Sequence, residues 1–199
     1  MFISERKQWK RRTDLENEVL ECLWIEVFQK FSKSFLVGSI YRPPEGSKYL
    51  PKDFEKHFEN MINNITLCSK EIILLGDLNI DYFKKDANRS IKSLMQVDGF
   101  SQIINKPTRI TESTSTLIDL IYTTNMKVVK KVDVILSSIS DHDMVGMVRK
   151  LNHFKHPMRT IKCRNYTNYS PNQLIIDIAG IDWSLFYNCR DINEQWGIF

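Results

Sequence analysis

The chain has 199 residues, the size of one domain with or without an appendage. Apolar residues make up 42% and charged residues 26%, a globular balance that excludes a disordered or collagen-like chain. Lysine plus arginine is 28 and aspartate plus glutamate is 24, a net charge of +4 that permits a polyanionic partner without demanding one. Apolar runs such as Ile72–Leu75 are far too short for a membrane span.

The first twelve residues carry Arg6, Lys7, Lys10, Arg11 and Arg12 against one acid, Glu5. They read as a solvated basic segment, with a nuclear signal or nucleic-acid arm as the alternative. No apolar leader follows Met1, and Cys22, Cys68, Cys163 and Cys189 lack metal-knuckle spacing. Free thiols in a nuclear or cytoplasmic, non-secreted protein are the expectation.

Val19–Phe28 is β-rich with apolar residues on both faces, which predicts a central strand. Ser34–Tyr41 predicts another, ended by Pro43 and Pro44, which cannot donate to a ladder. A helix follows from Pro51, with Phe54, Phe58, Met61, Ile62 and Ile65 on one face. Glu71–Leu75 predicts a short strand stopping at Gly76, and Ser90–Val97 a helix ended by Gly99. Strands are expected over Thr116–Thr123, Val128–Leu136 and Met144–Val148. The alternation followed by crowded strands is mixed α/β, not a purely parallel doubly wound sheet.

From Arg149 to Arg164 there are six cations and no acid, which reads as a basic linker, with Lys155 and Arg159 as candidate nucleic-acid contacts. Ser170-Pro171 opens a short helix, and Asp191 with Glu194 has the capping-box pattern of another. The expected organisation is a basic segment over 1–18, a catalytic-type domain over 19–150, and a linker with short helices over 151–199.

Four local signals carry chemistry. Gly76-Asp77-Leu78-Asn79 directly follows an apolar strand, which brings a carboxylate and an amide together at a sheet rim; a polar turn is the plainer reading. Asp119 lies within Thr116–Thr123 among apolar neighbours on both faces and needs a partner if that strand is central. Ser140-Asp141-His142-Asp143 offers an imidazole that a carboxylate such as Asp119 could hold, unless it is only a charged turn. Tyr41-Arg42-Pro43-Pro44 ends a strand with a hydroxyl and a guanidinium suited to phosphate, or simply with a stiff turn. Together they supply hard oxygen ligands, an orienting amide and one proton carrier. That set suits a magnesium-dependent attack of water on a phosphoester.

The sequence resembles the endonuclease/exonuclease/phosphatase superfamily. Tyr41–Pro44, Gly76–Asn79, the stretch from Pro107 to Thr123 and the motif at Ser140–His142 occur in that family's order. Their combination is similar to the apurinic-type endonuclease domain of LINE-type, jockey-like non-LTR retrotransposons, from about Val19 to Lys150. Residues 165–199 resemble the connector preceding reverse transcriptase. The resemblance implies a four-layer, DNase I-like sandwich of two packed β-sheets flanked by helices, incomplete at the N-terminus. It implies that Asp77 activates water and Asn79 orients it. It implies that His142, held by Asp119, binds the scissile phosphate, that Tyr41 contacts it, and that Asp141 ligates Mg²⁺ or Mn²⁺. Arg42 joins the nucleic-acid contacts. A DNA-nicking monomer normally continuous with a reverse transcriptase is the expected function. A non-catalytic remnant that at most binds nucleic acid is the alternative, and a small-phosphoester phosphatase a third reading. The family's asparagine and metal-binding glutamate belong upstream of Met1, and none of Glu16, Glu18, Glu21 and Glu26 has the motif context. Weak magnesium binding and poor nicking by this chain are therefore expected.

Overall fold

The computed structural model describes residues 1–30, 32–87, 89–137, 139–150, 163, 165–191, 193 and 195. The chain forms two compact units, Met1–Lys155 and His156–Phe199.

The first unit contains strands β1 (Gln8–Arg11), β2 (Glu21–Phe28), β3 (Phe35–Tyr41), β4 (Glu71–Asp77), β5 (Ser101–Gln102), β6 (Arg109–Ile110), β7 (Ser115–Thr116), β8 (Asp119–Thr123), β9 (Val129–Ile135) and β10 (Met144–Arg149). Its α-helices are α1 (Phe54–Thr66) and α2 (Arg89–Val97). A six-stranded sheet has the order β1-β2-β3-β4-β8-β5, and β9–β10 and β6–β7 form two smaller sheets. β3 and β4 are parallel and joined through α1, while the other pairings are antiparallel. This is the mixed α/β arrangement that the residue pattern predicts, with more than one sheet as the family resemblance implies.

The helical stripe of α1 buries Phe54, Phe58, Met61, Ile62 and Ile65. Full burial of such side chains contributes about 1.5–3 kcal/mol each. Trp24 crosses from β2 into this layer and donates its indole N–H to Met61 Sδ at 3.4 Å. Gly38, its register partner, makes the crossing possible, because a Cβ there would lie 2.4 Å from the indole ring. The opposite face carries Phe35 and Ile73. Against the core pack Val132 and Val134 of β9 and Val145 and Met147 of β10. The Arg149 guanidinium lies 4.3 Å from the Phe35 ring centre and donates to Glu71 from Nε at 2.6 Å.

Three differences from the sequence reading stand out. Residues 1–18 are part of the compact unit: Gln8–Arg11 pairs antiparallel with β2, and Leu15 is buried. The basic residues of Gln8–Arg11 sit on an edge strand, where charge discourages pairing with another chain. Gly76 does not stop its strand. It lies inside β4 with φ +154°, and a Cβ there would fall 1.8 Å from the Ile40 carbonyl oxygen. The expected strand Thr116–Thr123 is split between β7 and β8, because the amides of Ile118 and Asp119 both donate to the Thr108 hydroxyl.

In the second unit, α3 (Pro171–Ala179) starts where Ser170-Pro171 predicts, with the Ser170 hydroxyl accepting the Gln173 amide. Neither it nor α4 (Ser184–Asn188) has a buried residue. Residues 151–162, with Lys155 and Arg159, and Glu194 of the expected last helix lie outside the described residues.

Candidate active site

The rim of the large sheet assembles the site by register alone. Glu21 pairs with Tyr41, Tyr41 with Asp77, and Asp77 with Asp119. Side chains paired across strands point to the same face, so Tyr41, Asp77 and Asp119 form one row on the face opposite α1. Gly76 lets β3 and β4 approach closely beside it. Leu78 then turns into the core, and Asn79 adopts a left-handed conformation with φ 50°. Asparagine tolerates that region better than most residues. Its backbone N–H donates to Asp77 Oδ1 at 2.8 Å, and Nδ2 donates to Asp77 Oδ2 at 3.2 Å and to the Arg42 carbonyl at 2.9 Å.

His142 reaches Asp119, with Nδ1 3.0 Å from Oδ2. Asp141, its sequence neighbour, points the other way and accepts from Arg109 Nε at 2.7 Å. The loop that carries both is sewn to β6: Ile110 N–H donates to the Asp141 carbonyl, Asp143 N–H to the Thr108 carbonyl, and Arg109 and His142 form an isolated bridge. Thr108, fully buried, is the hub, since its hydroxyl also holds the backbone amide of Asp119. Sequence reasoning missed Thr108 and Arg109. Their one signal is their place in the stretch from Pro107 to Thr123.

Burial pushes the Asp77 carboxyl above the ordinary aspartate value, and the Asp119 charge adds to this; the Asn79 N–H, His142 and Arg109 oppose it. Arg109 holds Asp141 below that value, chiefly through its hydrogen bond. Among the described residues, Asp77, Asp119 and His142 are the group that could hold a metal ion, each with a ligand atom within 4.8 Å of the others. Two adjacent carboxylates that repel each other fit a hard divalent cation, which would relieve that repulsion.

Tyr41 is exposed at the rim, as a phosphate contact requires. Arg42 is not: it is buried, stacked 5.3 Å from the Phe54 ring centre, with Nη2 bonded to Glu45 at 2.6 Å. The guanidinium is packed against Phe54 of α1, and the expectation of a surface nucleic-acid contact at Arg42 is corrected. Asp141 lies outside the group of possible ligands and is engaged by Arg109. Of the upstream glutamates, Glu16 is bound to Arg11, Glu26 lies at the other end of the sheet, and exposed Glu21 shares the rim row.

A sequence profile described as endonuclease-reverse transcriptase matches residues 35–146, more than half of the chain, with Tyr41, Asp77, Asn79, Asp119, Asp141 and His142 inside the match. The chain belongs to that family. No curated protein matches it in sequence. Among solved structures it is similar to the endonuclease domain of TRAS1, a telomere-specific non-LTR retrotransposon, with TM-score 0.59 and 16% identity over 72% of this chain and 67% of that one. It is also similar to an endonuclease/exonuclease/phosphatase family protein from Leptotrichia buccalis, with TM-score 0.52 and 15% identity over 74% and 62% of the two chains. A third likeness is the 3′ phosphatase NExo from Neisseria bound to product DNA hairpin, with TM-score 0.51 and 12% identity over 75% and 72%. The chain thus spans roughly two thirds of these relatives' lengths, and the shared fold of this endonuclease-reverse transcriptase chain is the DNase I-like one.

Proposed function

We propose that this chain is a metal-dependent phosphodiesterase, the DNA-nicking endonuclease of a non-LTR retrotransposon, continuous with a reverse transcriptase. The observation that carries the reading is the convergence of Asp77, Asp119 and His142 on one rim, with His142 Nδ1 bound to Asp119 at 3.0 Å. With Nδ1 occupied, Nε2 is the ring atom turned away from Asp119, and in the protonated ring it donates to a phosphate oxygen. Asp77, raised by burial, is the better base for it and takes a proton from water. Asn79 uses its Nδ2 on Asp77 and the Arg42 carbonyl, which leaves its Oδ1 to accept from that water. The Tyr41 hydroxyl, one strand away in the same row, donates to the phosphate. Asp119 would be the carboxylate that holds the divalent cation, which when bound screens phosphate charge and polarises the P–O bond.

The test is nicking of supercoiled plasmid by the purified chain in Mg²⁺ or Mn²⁺, followed over hours, beside Asp77→Asn. Wild type is expected to nick, slowly, and the variant about 10²–10³ times more slowly. Equal rates would reduce Gly76–Asn79 to a turn and end the reading.

A further inference from the structure

One cation at the rim has no part in the reading above. Arg109 is 42% exposed and uses only Nε, which donates to Asp141 Oδ2 at 2.7 Å. Its two terminal nitrogens make no hydrogen bond among the described residues. A guanidinium tethered through Nε has a fixed plane, and its two terminal nitrogens aim as a pair. Two parallel donors at fixed spacing match two oxygens of one phosphate.

The anchorage is unusually complete. Arg109 bridges His142 through the backbone, and its neighbours Thr108 and Ile110 bond the same loop. The backbone of Arg109 is therefore held against that of His142, and the Nε bond to Asp141 tethers the guanidinium beside that loop. Arg109 and His142 are paired across the bridge, and paired side chains share a face, which locates Arg109 beside the reacting centre. At such a place a free fork of donors faces whatever anion the site receives.

We propose that Arg109 is a substrate-binding residue that grips a backbone phosphate of DNA through its two terminal nitrogens, with Asp141 holding the fork in position. The inference rests on the endonuclease reading and adds to it a specific phosphate contact that needs no metal. It also gives Asp141 a task that the structure displays directly.

The experiment measures binding of a fluorescent DNA duplex by anisotropy, in EDTA, across a salt series, with the full chain. Arg109→Gln is expected to bind about tenfold more weakly, and its slope of log K against log salt is expected to be smaller by about 0.9, one phosphate contact. Arg109→Lys keeps the charge without the fork; it is expected to keep the slope and lose about threefold in affinity. Lys56→Gln, an exposed cation on α1, should match wild type in both. A circular-dichroism melt checks that each variant is folded, and if Arg109→Gln is not, the lysine variant decides. Wild-type binding with unchanged affinity in a folded Arg109→Gln or Arg109→Lys overturns the inference and leaves the endonuclease reading standing. A wild type that binds no duplex overturns both.

Discussion

The two ends of the large sheet both carry acids, and they treat them in opposite ways. At the end where β3 and β4 begin, Glu26 accepts from Arg12 at 2.8 Å and from Ser34 at 2.6 Å, and lies 2.8 Å from Lys70. Beside it, Glu71 is forked by Arg149 at 2.6 and 2.9 Å. Every negative charge there has its own cation. At the other end Asp77 and Asp119 stand side by side, the His142 imidazole is bonded to Asp119 and not to Asp77, and the Arg109 guanidinium is bonded to Asp141. The first arrangement is what a buried charge needs to be tolerated. The second leaves negative charge that the protein itself does not neutralise, which favours an external cation over native-state stability.

That contrast can be broken by mutation. The largest effect is expected for His142→Ala and Asp77→Asn, each costing about 10²–10³ in nicking rate. Next, Glu26→Ala should destabilise the fold by about 1–3 kcal/mol, because Arg12 and Lys70 lose their shared partner while Arg12 keeps Asp14. Urea unfolding followed by circular dichroism reads this as a lower midpoint at unchanged slope. Gly38→Ala, between the two ends, should cost about 1–3 kcal/mol by pressing on the indole of Trp24.

The smallest and most discriminating effect is the pH dependence, whose sign should differ between the two ends. Lys70, Ser34 and Arg12 hold Glu26 down at about 2, against burial, from an ordinary value of 4.5. Its contribution is fully present above 4.5 and lost as pH falls toward about 2. The deficit of Glu26→Gln should therefore shrink over that range. Asp77 is shifted upward, so its ionisation opposes folding above its folded value, and that opposition fades as pH falls. The stability of Asp77→Asn relative to wild type should therefore be highest at neutral pH and fall in acid. Urea midpoints measured from pH 7 to 3 would show the two differences from wild type moving in opposite directions, and movement in the same direction would contradict the contrast.

Much of this was legible in the residues. The stripe from Phe54 to Ile65 identified α1, because a five-residue apolar face at helical spacing has few other uses. Asp119, surrounded by apolar side chains, required a partner, and His142 is that partner. Three things were hidden for physical reasons. Gln8–Arg11 looks like a solvated tail because an edge strand can be wholly exposed and charged. Gly76 looks like a stop because glycine serves both turns and close strand contacts, and only the position of the Ile40 carbonyl decides between them. Thr108 is silent because its importance lies in two amides ten and eleven residues away, which no local pattern encodes.

The pairing of β4 with β8 has a consequence in time. Asp77 and Asp119 meet across 41 intervening residues, and long-range pairings close late because the loop entropy must be met first. His142 then arrives 23 positions further on. A growing polypeptide can fold the β2–β3 hairpin early, but its acids stay apart until most of the unit has left the ribosome. Synthesis thereby delays the site: a chain interrupted before His142 has much of the scaffold and none of the assembled rim. Pulse-labelled hydrogen exchange during refolding should record this delay as protection of the β8 amides after those of β2 and β3.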